Sequence, residues 1–310
     1  MVDRVATHSL QQTNLRYISS IESDLATLNQ QISSGKKATT YDQLNGVVEQ
    51  VSGYQTEVDK INNYSSNNTI LNSNLNLMDE ALNQIGTIAG KYQALVAGQN
   101  GATNDSQDFV NQAQSYLTQV VSLLNTTDGN GNYIFSGSRT NTPTVSTPLP
   151  GLASDNQPSA SYYQGNGDIA TARISDSQEI SYGVLGSNPA FQNVIAAIQQ
   201  GIAGATSSSQ SGSSSSGQDL ISSSVDLIAS AIQQVASVRV GVDDNVTAIK
   251  NTTDEQTQLQ TYWQQSLSDN EDTDIAAASI QLSSDQTLLQ ATFQAFATIS
   301  KLKLSDYLNN

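Results

Sequence analysis

The sequence predicts a mainly α-helical protein with a small β-rich insert: a long antiparallel helical rod whose N- and C-terminal helices pair. Three observations carry that expectation. Apolar residues recur at alternating three- and four-residue steps through most of the chain, the seam pattern of long packed helices. The prolines Pro143, Pro148, Pro150, Pro158 and Pro189 all fall between about 130 and 190, where short alternating runs replace the helical period. Both ends carry apolar stripes that a lone helix cannot bury.

Taken in order, the first helix is marked by Ile18, Ile21, Leu25, Leu28 and Ile32. It should stop at Ser34-Gly35, since glycine tolerates the left-handed conformation past a helix end. A second helix begins after Asp42, a good N-cap type, with Val47, Val51, Tyr54, Val58 and Ile61 on its seam. The three-residue step from Ile61 to Tyr64 follows another of the same size. Such a stammer-like phase shift marks local overwinding or a change of packing partner. The seam resumes through Asn68, Leu71, Leu75, Met78, Leu82, Ile85, Ala89, Tyr92 and Val96, and should end near Gly98–Gly101.

Val110, Ala113, Leu117, Val120 and Leu124 mark a third helix, closed by the turn-rich "NTTDGNG". In the insert, "TARISD" and "EISYGVLG" read as strands, and residues 188–203 as a short amphipathic helix. "ATSSSQSGSSSSGQ" reads as a flexible loop. Helix returns near 218 with Val225, Ile228, Ile232, Val235, Val242, Val246 and Ile249. The last helix, from about 272, places Ile275, Leu282, Leu289 and Phe296 at intervals of seven, with Phe293 and Ile299 alongside. The expected division is a terminal helical region (1–42 with 265–310), a helical rod (43–130 with 217–264), a β-rich outer domain (131–203) and a Ser/Gly loop (204–216).

Composition narrows the function. Against 28 Asp+Glu there are 12 Lys+Arg, a formal charge of −16, so the basic footprint needed for nucleic acid or an anionic membrane is missing. With no cysteine, disulfides, thiol nucleophiles and Cys-based zinc sites are excluded. "MVDRVATHSLQQTNLRY" lacks the basic and apolar regions of a cleavable signal peptide. No run of about 18 apolar residues occurs, so no membrane insertion is expected.

The catalytic inventory is thin. His8 is the one histidine and has no second imidazole to join it on a metal. "DGNGNY" begins like a calcium loop, but Tyr133 stands where glycine is needed and Arg139 where a bidentate Glu is needed. A turn is the better account. "GNGDIA" satisfies a dinucleotide pattern by letter only, because a strand-like run follows it instead of a helix. The acidic run "SDNEDTDIAAAS" reads as a solvated bend that caps the last helix. No catalytic, cofactor-binding or metal-binding residue is assigned. What remains is the unburied stripes, and head-to-tail contacts between copies through them build filaments or rings.

At this point the residues resemble a known family. "SLQQTNLRYISSIESDLATLNQQISSGKKATTYDQLNG" and "DTDIAAASIQLSSDQTLLQATFQAFATISKLKLSDYLNN" are similar to the paired terminal segments of the flagellin superfamily. "GNGNYIFSGSRTNTPTV" followed by "YYQGNGDIATARISDSQEISYGVLGSNPAF" looks like the hook–filament junction branch of that superfamily, as does the "DYLN" ending. The acidic pair common after the first-helix glycine is here the single Asp42.

The resemblance implies a non-enzymatic, extracellular flagellar component exported through the flagellar type III apparatus. Its implied partners are neighbouring copies, a sister hook-associated protein on the hook side, flagellin on the filament side, and an export chaperone on the C-terminal helix. The expected interface set is Leu15, Ile18, Ile21, Leu25, Leu28, Ile275, Leu282, Leu289, Phe293 and Phe296, with the terminal stripes disordered until assembly orders them. The rival readings are a filament flagellin and, more remotely, a secreted coiled-coil adhesin or translocator.

Overall fold

The structure, a computed structural model, describes residues 2–38, 40, 46–99, 106–152, 160–211 and 215–308. Asp42, and the side chains of His8 and Ile299, lie outside what it describes. The described elements run α1 (Val2–Ser34), α2 (Val48–Ala97), α3 (Ser106–Leu124), β1 (Thr171–Arg173), β2 (Glu179–Ser181), α4 (Pro189–Ser211), α5 (Ser215–Glu271) and α6 (Ile275–Leu308). They form two compact units: a terminal unit, Met1–Ile61 with Gln258–Asn310, and a central unit, Asn62–Thr257. The boundary on α2 falls at Ile61, where the apolar seam shifts phase. The shift therefore marks a change of packing partner, and α2 is unbroken through it.

One continuous core holds the central unit. The α2 seam contributes Leu71, Leu75, Met78, Leu82, Ile85, Ala89, Tyr92 and Val96, all buried as the spacing predicts. Onto it pack Phe109, Ala113, Val120 and Leu124 of α3 and Ile221, Ile228, Val235, Val242 and Ile249 of α5. Helix α5 is long and carries an extended apolar stretch. Its apolar stripe is spent on this core, which makes it a packed amphipathic helix. Arg239 of α5 adds a two-point ion pair to Asp79 of α2, Nε to Oδ1 at 2.6 Å and Nη2 to Oδ2 at 3.2 Å.

The stretch 131–203, expected as a domain of its own, shares this core through Phe135, Val145, Tyr162, Ile174 and the first half of α4. Among the described residues its sheet is a single antiparallel pair, with Thr171 opposite Ser181, Ala172 opposite Ile180 and Arg173 opposite Glu179. Side chains do most of the remaining work. Asn125 Nδ2 donates to Val145 O and its Oδ1 accepts from Val145 N. Asn68 on the α2 seam donates to Ile174 O at 3.1 Å, and Gln256 of α5 donates to the same carbonyl at 2.8 Å. Gly137 has φ +69, and a Cβ there would run into Asn166, so both backbone and space require glycine.

Helix α4 starts at Pro189, with Asn188 Oδ1 accepting from Ala190 N, a proline at the first helical position behind an asparagine cap. Phe191, Val194, Ile195, Ala196, Ala197 and Ile198 are all buried, while Gln192, Asn193 and Gln199 remain partly exposed. The expected Ser/Gly loop is also corrected. Residues 204–211 continue α4, and α5 begins at Ser215. At the start of that run the packing is close: a Cβ on Gly204 would lie 2.6 Å from Gly217 O.

The terminal unit has a thinner core: Ile18 and Ile21 of α1, Val51, Val58 and Ile61 of α2, and Ala278 of α6. Helix α1 stops where predicted, with Gly35 at φ +70 and its amide bonded to Gln31 O at 2.8 Å. Tyr54 of α2 stacks on Trp263 of α5 with ring centroids 5.4 Å apart, and Tyr262 meets Trp263 edge-on at 4.8 Å.

Candidate self-association surface on the terminal helices

Within the terminal unit α1 packs along α6. The two segments expected to lack partners before assembly are helical and paired with each other, because each offers the other one apolar face. That pairing uses only part of what α6 carries. Of the ten sequence-predicted residues, Ile18 and Ile21 are buried, while Leu25, Leu28, Leu282, Leu289 and Phe296 are half-buried. Leu15, Ile275 and Phe293 are exposed, the last two at 51% and 47%.

The seven-residue series missed Tyr17, Ile280 and Leu288, which are also exposed, Ile280 at 73%. At 100° per residue, Ile280 points away from buried Ala278 and Leu288 points to one side of it. Helix α6 is therefore apolar on more faces than α1 covers. Such a helix is normally enclosed. Among the described residues, eight of the twelve large exposed apolar ones (Leu15, Tyr17, Leu259, Tyr262, Ile275, Ile280, Leu288 and Phe293) lie in the terminal unit, the smaller of the two. The surplus apolar surface is thus concentrated there.

A polar clasp closes the other end of this unit. Past Gly35 the chain makes an antiparallel bridge with the α5–α6 turn: Lys37 N donates to Glu271 O at 2.6 Å and Thr273 N to Gly35 O at 2.9 Å. Lys36 Nζ lies between Glu271 at 3.0 Å and Asp272 at 2.7 Å. Lys37 Nζ donates to the carbonyls of Asp269 at 2.6 Å and Asn270 at 3.3 Å, at the negative end of α5. Asp274 caps α6, accepting from Ala277 N at 3.0 Å. The acidic run is therefore the predicted cap, but it is ion-paired rather than only solvated. The lysines were missed because nothing local to "SSGKK" names a partner more than 230 residues away.

The hydrogen bond from Lys36, seconded by Ser268, holds the Asp272 carboxyl below its ordinary value. The bond to Asp272 raises the Lys36 ammonium above its own, against an opposing effect of desolvation. Asp272 thus contributes stability that is complete above the ordinary carboxylate value and lost as pH falls through its lower folded value. The Lys36 contribution is complete below the ordinary ammonium value and lost as pH rises through the raised one. Both act across the neutral range, and with both side chains 43% exposed the pair is screened by solvent and salt. Lys36→Met is expected to raise the Asp272 titration midpoint toward the ordinary carboxylate value, which carboxyl-carbon NMR reads directly.

Elsewhere, a cavity of about 450 Å³ in the central unit, between residues 181–189 and α5, is lined by no charged side chain. Among the described residues no cluster of His, Cys, Asp or Glu is placed to hold a metal ion.

Residues 5–140 match the family model described as the bacterial flagellin N-terminal helical region. More particularly, the chain is similar to flagellar hook-associated protein 3 of Escherichia coli (strain K12), 27% identical over 142 residues. That alignment covers 45% of each protein, so the chain spans less than half the length of the curated relative it matches. A flagellar hook-associated protein from Vibrio parahaemolyticus shares the fold at TM-score 0.62 and 15% identity, over 73% of this chain and 97% of that one. FlgL from Xanthomonas campestris shares it at TM-score 0.56 and 14% identity, over 69% and 98%.

Proposed function

We infer that this protein is a structural component of the bacterial flagellum that joins hook to filament by association of its paired terminal helices with neighbouring copies. The observation that carries the reading is the apolar surface left on α6, Ile275, Ile280, Leu288 and Phe293, beside a central unit whose core is closed. Burying that surface against copies of the chain supplies the assembly free energy. The flagellin-type N-terminal match and the likeness to hook-associated protein 3 support the setting.

In this reading the chain is extracellular after export, with a sister hook-associated protein on one side and flagellin on the other. A chaperone covers α6 before export, which keeps an otherwise sticky helix from aggregating. The role is mechanical and needs no catalysis.

Immunogold labelling of the chain in its own cells tests this. A single band at the distal end of the hook is expected. Label along the filament identifies a flagellin instead, and label elsewhere on the cell surface overturns the flagellar reading. Deleting the chain should leave hooks in place and filament subunits shed into the medium.

A further inference from the structure

Helices α5 and α6 are separated only by Asp272-Thr273-Asp274, and residues 269–275, "DNEDTDI", contain neither glycine nor proline. Nothing in that run forbids helix; Asp and Thr merely disfavour it. Asp272 N still makes the helical bond to Ser268 O at 2.8 Å. Beyond it the helical rungs are replaced by bonds from another part of the chain.

In a continuous helix Asp269 O would accept from Thr273 N, Asn270 O from Asp274 N and Glu271 O from Ile275 N. Here Asp269 O and Asn270 O accept from Lys37 Nζ, Glu271 O accepts from Lys37 N, and Thr273 N donates to Gly35 O. Lys36 Nζ meanwhile neutralises Glu271 and Asp272, neighbours that repel each other without it. Gly35 at φ +70 turns the chain so that these donors and the acceptor arrive together.

We propose that the break between α5 and α6 is conditional: the Gly35–Lys37 segment holds it open rung by rung, and when that segment undocks α5 and α6 fuse into one helix. The device has two states. In the docked state α6 is a separate helix packed along α1; in the undocked state it is the continuation of α5. Asp274 as a cap favours the docked state locally. The rest of the bias comes from the segment after α1, so the end of one terminal helix decides whether the other begins as a separate helix. This holds whatever the protein assembles with.

Two full-length variants test it. Lys36→Gln/Lys37→Gln removes the side-chain donors, and Gly35→Val removes the left-handed turn that presents the carbonyl. In both, the α-carbon NMR shifts of Asp272, Thr273 and Asp274 are expected to move to helical values while α6 stays helical. Spin labels on cysteines introduced at Gln264 and Gln281 should then settle at about 25 Å, seventeen residues of continuous helix. If residues 272–274 keep their non-helical shifts in both variants, the proposal fails. It fails equally if α6 melts, because fusion requires α6 to persist. Neither outcome bears on where the protein sits in the cell.

Discussion

Phe293→Asp is expected to leave the isolated chain folded as it is and to abolish its assembly. Phe293 is 47% exposed on α6, so a carboxylate there meets water in the single chain and disturbs neither α1 nor the central core. In an assembled interface the same carboxylate is desolvated without a partner. The loss expected for a buried aromatic anchor is about 2–4 kcal/mol per contact, repeated at every subunit. Ile21→Asp is the necessary comparison. Ile21 is buried against the paired helices, so its replacement should break the pair in the single chain as well as assembly. Circular dichroism of the monomer, with sedimentation or negative-stain imaging of the assembly, separates the two. A Phe293→Asp chain that still assembles would remove α6 from the interface.

Gly201→Ala reverses the sign that helix propensity assigns to it. Alanine in a helix interior is ordinarily about 1 kcal/mol better than glycine. Here a Cβ on Gly201 would overlap the Tyr92 hydroxyl. That hydroxyl cannot retreat: it donates to Ala197 O at 3.0 Å, lies 2.7 Å from Ser224 Oγ, and belongs to a fully buried ring tilted against Phe109. The substitution overpacks the α2–α4 contact and breaks a buried hydrogen-bond network, and should cost the central unit about 3 kcal/mol. Tyr92→Phe frees the space. The double variant is expected to be more stable than Gly201→Ala alone, a coupling that denaturant melts of the four chains measure. Additive losses would show that the two residues do not compete for the same volume.

Much of the helical architecture was legible. The α2 seam from Leu71 to Val96 is buried residue for residue because a long helix in a closed core keeps one face inward throughout. The stop at Gly35 was readable because a left-handed turn requires what glycine allows. The insert was not. Its strands are three residues long, and its order comes from pairs such as Asn125 with Val145 and Asn68 with Ile174, which have no period to detect. The Ser-rich run at 204–211 misled because its composition reads as flexible, while in the structure it continues α4, with Gly204 close against Gly217. For the candidate surface, the seven-residue series returned three half-buried residues, Leu282, Leu289 and Phe296, and one exposed, Ile275. Ile280 and Leu288 fall off that series, and only the packing shows that no neighbour covers them. The lysine clasp was invisible for a different reason: its partners meet only after the two ends of the chain have come together.

The stack of Tyr54, Trp263 and Tyr262 has a practical consequence. Trp263 is the sole tryptophan of the chain, and it lies in the terminal unit. Indole emission therefore reports that unit alone, whereas far-ultraviolet dichroism weights the helices of both. Heating the purified chain while recording both signals should give an earlier transition in the indole channel, since the thin core is the weaker one. The protein thus carries its own optical label for the terminal unit.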